Sequence, residues 1–348
     1  MLDVKNISMA VGNFKLSEIN FNVEKGEYFV ILGLSGVGKS LLLETIAGLR
    51  SPDSGKIFLR GKDIAKEKIQ NLNISIVYQD SVLFPHKNVY ENIAYPLKSR
   101  KAKGIKEKVH RFAEITGIAD KLERKPSTLS GGEIQRAALA RSLASGSDIF
   151  LLDEPLSALD SKSAFELRAL FRKLNREGIT IIHVTHSYEE AVSLATRIGI
   201  MEEGKLVHVD TPSEIFRHPR SEFVAHFVGI KNFLKGNLKE GSGAQLKEFA
   251  LNGISISVLT DIEDGEAFLM ISPDEISISN KPEESSSRNH FKGVIKDIAP
   301  ARIGIDVTVD IGIDIVSVIT SNSLNELDLS IGKTVWINFK ASSCKIYK

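Results

Sequence analysis

The sequence predicts two domains: an α/β phosphate-loop domain carrying a helical insertion, and behind it an all-β, barrel-like domain. Three observations predict this. The octapeptide GLSGVGKS occupies residues 33–40, and the apolar run IFLLDEP at 149–155 ends in two carboxylates. After Gly229, helical periodicity gives way to short alternating segments separated by Gly, Asn, Asp and Ser. At 348 residues the chain also exceeds one typical domain.

The octapeptide is of the G-x-x-x-x-G-K-S type. A phosphate tail needs several backbone N–H groups turned inward, so Gly33, Gly36 and Gly38 are expected at positive φ. YFVIL at 28–32 reads as a buried parallel strand, and 41–49 as a helix whose positive end faces the phosphates. The cradle comprises Gly33, Ser35, Gly36, Val37, Gly38, Lys39, Ser40 and Leu41. Lys39 reaches the β- and γ-phosphates of a nucleotide, and the Ser40 hydroxyl ligates Mg²⁺. IFLLDEP suits a central strand that delivers its acids at the carboxyl edge of the sheet. There Asp153 holds Mg²⁺ through water, and Glu154 orients and deprotonates the attacking water.

A third stretch, LSGGEIQR at 129–136, contains a capping box, S-x-x-E, that opens a helix over 133–144. A capped helix start with two glycines exposes N–H donors suited to a phosphate. With these motifs in order, residues 1–229 resemble the ATP-binding cassette (ABC) ATPases. The resemblance implies ATP held between two protomers, with Ser130, Gly131 and Gly132 contacting the γ-phosphate bound to the opposite subunit. It implies that Gln79, in VYQDSVLFPH, senses Mg²⁺ and the attacking water while its loop touches a membrane partner. The SALD loop at 157–160 would run between protomers, and His186 would contact the γ-phosphate. A helical subdomain over about 84–148, with FPH at 84–86 near its root, is where the family meets its permease. Ile105, Val109, Phe112 and Ile115 give it one buried helix face. His183 and His186 lack a third ligand of suitable spacing for zinc, and His183 is expected to pack beside its strand. Val11 stands where the family has an aromatic that stacks on adenine; Phe14 either substitutes for it or packs the amino-terminal sheet.

Short helical runs at 213–216 and 223–227 close this domain. ISISVL at 254–259, DVTVDIG at 306–312 and TVWINFK at 334–340 then read as strands. The linker KPEESSS at 281–287 divides the second half into two small β units, 230–283 and 285–348. In the latter, SSRNHFKGVI at 286–295, VITSNSLNELDLSIG at 318–332 and FKASSCKIY at 339–347 resemble the molybdate-binding-protein domain. In that family an OB-like barrel holds tetrahedral oxyanions with serine hydroxyls, a lysine and backbone N–H groups. The resemblance implies Ser286, Arg288, Asn289, Lys340, Ala341 and Ser342 as ligands; the alternative is that they stabilise strand ends or a domain dimer. A Ser272-Pro273-Asp274 turn replaces the family's frequent R-P-E. The fold class is therefore an α/β P-loop ABC ATPase domain with a helical subdomain, followed by an all-β OB-like barrel regulatory domain.

Net charge of +1 supplies no general field for nucleic acid or an anionic membrane surface. The basic run KSRKAKGIKEK at 98–108 reads as a solvated loop and helix face. A single cysteine, Cys344, precludes an intrachain disulfide and fits a reducing cytosol. No signal peptide or apolar run of about 18 residues is present, so the chain is expected not to cross a membrane. Only 114 residues separate Lys39 from Asp153, too few for the long coiled-coil insertion of repair relatives. The resemblance as a whole implies the ATP-binding subunit of a molybdate/tungstate importer with ATP and Mg²⁺ as cofactors. It implies a homodimer on the cytoplasmic face, two membrane permease subunits, an external oxyanion-binding protein, and intracellular oxyanion acting on the second domain. Two alternatives stay open: the same machine serving sulfate, iron, a sugar or a polyamine, and a soluble non-transport ABC ATPase.

Overall fold

Alternating apolar residues over β1 (Leu2–Val11) and β2 (Phe14–Val23) put one face of a hairpin into the core. Strand β3 (Tyr28–Leu32) is buried at every position, as its unbroken apolar run requires. Helix α1 (Lys39–Ile46) follows the phosphate loop, and β4 (Ser54–Leu59) and β5 (Lys62–Asp63) complete an antiparallel sheet ordered β2-β1-β4-β5. Strand β6 (Ile74–Val77) leads into the helical subdomain of α2 (Val89–Ser99), α3 (Ile105–Thr116) and α4 (Gly131–Ala144). Then come β7 (Ile149–Asp153), α5 (Ser161–Arg176), β8 (Thr180–Thr185), α6 (Tyr188–Leu194), β9 (Arg197–Glu202) and β10 (Lys205–Asp210). They build a six-stranded sheet ordered β10-β9-β3-β8-β7-β6, parallel except for β10. This computed structural model describes all residues except 81, 158, 218, 220–223, 226–228, 242–244, 283–285 and 302, and at 216 and 217 the backbone alone.

On α3 the expected apolar stripe is displaced by part of a turn. Val109, Ala113 and Thr116 are buried, while Ile105, Phe112 and Ile115 are half-buried on its flanks. Asn92 of α2, fully buried, holds the preceding loop: its amide nitrogen donates to the carbonyls of Phe84, Lys87 and Asn88, and its oxygen accepts from the Phe84 N–H. Four bonds from one side chain fix the FPH segment against the subdomain.

Compact packing divides the chain into Met1–Ile215 and Phe216–Lys348, inside α7 (Pro212–Arg217) and ahead of the expected break at Gly229. Of the helical run expected at 223–227, only Val224 and Ala225 lie among the described residues. The second unit contains β11 (Asn232–Lys239), β12 (Leu246–Leu251), β13 (Ile254–Leu259), β14 (Gly265–Ile271) and β15 (Ser277–Ser279). These are followed by β16 (Asn289–Pro300), β17 (Ile305–Asp310), β18 (Asp314–Ile319), α8 (Ser321–Glu326), β19 (Thr334–Phe339) and β20 (Cys344–Tyr347).

The expected split into two β units at 281–287 is corrected by the pairing. Strand β15, from before the linker, pairs with β19, and β20, from the chain end, pairs with β14. The resulting sheets, β13-β12-β11-β14-β20 and β15-β19-β16-β17-β18, share one core that includes Phe249, Leu269, Ile295, Val307, Ile337 and Phe339. Neither segment buries its apolar face alone. Of the linker, residues 283–285 lie outside the described ones.

Asn232, with no exposed surface, links the two sheets. It donates to Ile271 O at 3.2 Å and Val316 O at 2.8 Å, and accepts from Val316 N at 2.7 Å. Asn232→Ala strands those backbone groups, at a cost of about 2–3 kcal/mol. The thermal transition of this unit should fall by about 5–10 °C in calorimetry, and an unchanged transition would exclude the clamp.

Candidate functional site

Four neighbouring strands deliver the candidate residues to one sheet edge. Gln79 follows β6, Asp153 and Glu154 end β7, His186 follows β8 and the phosphate loop follows β3. Ligands of open α/β sheets sit outside the carboxyl ends of the strands. Here they meet a cleft of about 560 Å³ lined by Ser35, Gly36, Gly38, Lys39, Ser40, Leu41, Gln79, Glu154, Ser157 and His186.

Gly36 and Gly38 take φ of 85° and 95°. Gly33 does not adopt positive φ, and the expectation for it is corrected. Its need is space, since a Cβ there would lie 2.4 Å from the Met201 carbonyl oxygen at the edge of β9. Gly38 is doubly constrained, because the rings and methyls of Phe14 and Leu16 occupy the volume a side chain would need. That contact places Phe14, half-buried, against the core beneath the loop, whereas Val11 at the hairpin tip is 40% exposed. Gly38 also leaves α1 without a side-chain cap, so the first N–H groups of the helix remain available to a phosphate.

Lys39 is 5% exposed. Its ammonium donates to the carbonyls of Gly33 at 2.9 Å and Leu34 at 2.8 Å, and lies 3.6 Å from Glu154 Oε1. Burial lowers its pKa, while Glu154 and Asp153 oppose the shift. Ser40 Oγ donates to Asp153 Oδ1 at 2.9 Å. Burial raises the Asp153 carboxyl against that bond.

Glu154 turns out of β7 at φ 44° with its N–H donating to Val184 O. Its second carboxylate oxygen meets His186 Nδ1 at 3.1 Å. Behind His186 lies a buried chain that sequence reading understated. Tyr28 Oη meets His183 Nδ1 at 3.0 Å, and His183 Nε2 lies 3.3 Å from Glu190 Oε2. Burial and the Glu190 charge push the Tyr28 hydroxyl well up, so it stays protonated. Burial would raise Glu190 too, but His183 and Thr185 hydrogen bonds and the His186 charge hold its carboxyl below the usual range. The Tyr28 hydroxyl and the Glu190 carboxylate flank the two ring nitrogens and hold the ring in place.

At the start of α4 the capping box forms as expected: Glu133 N donates to Ser130 Oγ at 3.4 Å and Ser130 N to Glu133 Oε2 at 2.8 Å. Gly132 packs against Ser163, and Gly131 faces Leu159. Gly131 lines a separate cleft of about 300 Å³ that shares only Gln79 and Glu154 with the phosphate-loop cleft. Of the SALD loop, residue 158 lies outside the described ones, Ser157 Oγ donates to Glu154 O, and Asp160 caps α5 through the N–H groups of Lys162 and Ser163.

In the second unit, the ladder pairs Asn289 directly with Phe339. This brings Ser286 and Arg288 to the same strand ends as Lys340, Ala341 and Ser342. Ser286, Arg288, Lys340 and Ser342 are exposed and Ala341 is buried. Asn289 is a correction to the expected ligand set. It is buried, and its amide is spent on β13, accepting from Ser257 N at 2.8 Å and donating to Ser257 O at 2.9 Å.

Gly33→Ala tests the phosphate-loop geometry without a positive φ to confound it. The new methyl must displace β9 or the loop, costing about 1–3 kcal/mol. ATP affinity, read by fluorescent-nucleotide titration, should fall about tenfold or more with circular dichroism retained. Unchanged affinity would mean the loop tolerates the shift.

The ABC transporter family matches residues 16–157 and the TOBE domain family residues 285–346. The molybdate/tungstate import ATP-binding protein of Pyrococcus abyssi is 40% identical over the whole of both chains. A sulfate/thiosulfate import ATP-binding protein of Chromobacterium violaceum is 37% identical over 95% of this chain and 91% of its own. Among solved structures, an ATP-binding cassette dimer in a post-hydrolysis state with ADP and phosphate superposes with a TM-score of 0.56 at 29% identity. It covers 61% of this chain and 99% of its own. The chain belongs to the ABC transporter family, as an ATPase whose hydrolysis is coupled to transport.

Proposed function

We propose that this ATPase energises import of molybdate or tungstate, acting as a homodimer at the cytoplasmic face of the membrane beneath two permease subunits. An external oxyanion-binding protein would deliver the cargo, and the second unit would sense intracellular oxyanion. The observation that carries the cargo reading is the Asn289–Phe339 pairing, which gathers hydroxyls, cations and backbone donors at one strand end of a TOBE-type fold. Full-length similarity to a molybdate/tungstate import protein supports it.

In this reading the nucleotide phosphates take over Lys39 from its two loop carbonyls. Ser40, Asp153 and Gln79 would hold Mg²⁺; a hydroxyl and a carboxylate oxygen 2.9 Å apart are hard donors that suit this ion. Mg²⁺ would neutralise charge building on the phosphates. Glu154 serves as the general base and His186, bonded to it, contacts the γ-phosphate. Ser130, Gly131 and Gly132 would close the site of a second copy, consistent with Gly131 lining a cleft other than that of the phosphate loop in this chain.

A cleft of about 520 Å³ lined by Tyr78, Val82, Phe84, Tyr95 and Arg141 is the proposed seat of the permease. It adjoins the Gln79 loop, so docking and nucleotide sensing share one segment. Arg141 donates to Val82 O and lies over the Phe84 ring, bracing that wall. Among the described residues no helix is long and apolar enough to cross a membrane, which leaves the pore to these partners.

Glu154→Gln should keep ATP affinity, lower kcat by about 10²-fold or more, and accumulate an ATP-bound dimer on size exclusion. Near-normal turnover would remove Glu154 as the base. Lys340→Ala should weaken molybdate binding by about 1.5–3 kcal/mol in calorimetry on the full chain. It should also relieve molybdate inhibition of the ATPase while basal hydrolysis stays unchanged. A wild-type chain that binds neither oxyanion at millimolar concentration would make the second unit structural.

A further inference from the structure

The hydrogen-bond polarity around His290, the residue after Asn289, determines its protonation without reference to any ligand. Lys281 O can only accept, so Ser279 Oγ, 2.8 Å away, donates to it. Having spent its proton, Ser279 Oγ must accept from Asn338 Nδ2 at 3.2 Å. This fixes the Asn338 amide with its oxygen toward His290, and Nδ1 at 2.8 Å must donate. On the other side of the ring, Nε2 lies 2.6 Å from the Ser287 carbonyl oxygen, which also can only accept. A neutral imidazole has one donor and cannot satisfy both.

We propose that His290 is an imidazolium that latches the Ser286–Arg288 loop and supplies positive charge to the oxyanion site. This rests on the oxyanion reading above for its ligand, but not for the ring's protonation. The bond to Ser287 O holds the peptide between Ser287 and Arg288, directly between two proposed ligands. Because C=O and N–H of a trans peptide point oppositely, the Arg288 N–H donor is turned away from His290. That donor is polarised by the charge-assisted bond on its own carbonyl.

β16 carries Lys292, Lys296 and Asp297, of which Lys292 alone lies within two positions of His290. Lys292 shares the His290 face of β16, Lys340 lies two residues beyond Asn338 on the β19 side, and Arg288 lies in the loop. β15 contributes the neutral Ser277 and Ser279. Two fixed acceptors favour the imidazolium and three neighbouring cations oppose it. A bound dianion offsets the cations, so oxyanion binding and proton retention on His290 reinforce each other.

Two measurements on the full-length protein test this. Molybdate affinity by calorimetry should tighten about tenfold as the pH falls from about 8.5 to about 6.5. His290→Gln, which keeps a donor but cannot ionise, should bind with little pH dependence. Wild-type affinity that is flat over this range overturns the coupling. Separately, long-range ¹H–¹⁵N spectra of histidine-labelled protein, assigned with His290→Gln, should show both ring nitrogens protonated at about pH 7. A neutral ring in molybdate-saturated protein overturns the proposal. If the chain binds no molybdate at millimolar concentration, the oxyanion reading fails on its own, and the spectrum of the free protein decides the ring: doubly protonated supports the latch, neutral overturns it.

Discussion

The ATPase unit depends on one buried cation. Lys39 sits at the convergence of β3, β7 and β8, bonded to two carbonyls of its own loop and 3.6 Å from Glu154. Burying an ammonium is costly unless it is paired and hydrogen-bonded, so these contacts are a condition of the loop closing at all. The electrostatics stay unrelieved even so: burial lowers Lys39 and raises Asp153, each toward its neutral form. A polyphosphate with its cation reverses both pressures, the phosphate favouring charged Lys39 and the cation favouring ionised Asp153. The sheet order is what brings the two residues together across 114 positions of sequence.

Much of this was legible in the sequence because the first unit announces itself locally. GLSGVGKS, IFLLDEP and LSGGEIQR each contain a strand end or helix start together with its chemistry, and the Ser130 capping box formed as the spacing required. What escaped reading was long-range. A glycine marks a backbone need without saying which, and Gly33 answers to a carbonyl 201 positions into the chain rather than to φ. Asn92 and His183 look like ordinary helix and strand residues, and their roles depend on partners such as Phe84 and Tyr28 that only the fold supplies.

The second unit was harder for the same physical reason. Alternation identifies a strand and its buried face, but two strands with equal patterns are equivalent partners until the core selects between them. β15 and β20 are short, and each buries its apolar residues only by crossing to the other sheet. The TOBE match begins at 285, as the expected second unit does, yet strands from either side of the 281–287 segment pair with one another in both sheets. Asn289 shows the complementary case: a motif position implied a ligand, while a buried amide bonded to both backbone groups of Ser257 makes its side chain a strut that ties β16 to β13.

For an oxyanion to restrain the ATPase, magnitudes constrain the device. Turning a 1:99 equilibrium between separated and closed ATPases into 99:1 takes a differential affinity of about 10⁴. A homodimer has two such sites, so each needs about 100-fold preference for the separated state. One charge-assisted hydrogen bond contributes roughly 1.5–3 kcal/mol, or about ten- to a hundredfold. Losing a single cation contact per site on closure, such as that of Lys340, therefore approaches the requirement without refolding of the barrel. Reciprocity then works in the other direction: ATP-driven closure must weaken oxyanion binding by the same overall factor. A sensor so coupled responds to the ratio of the two ligands, inhibiting when oxyanion is abundant relative to ATP and yielding when nucleotide dominates.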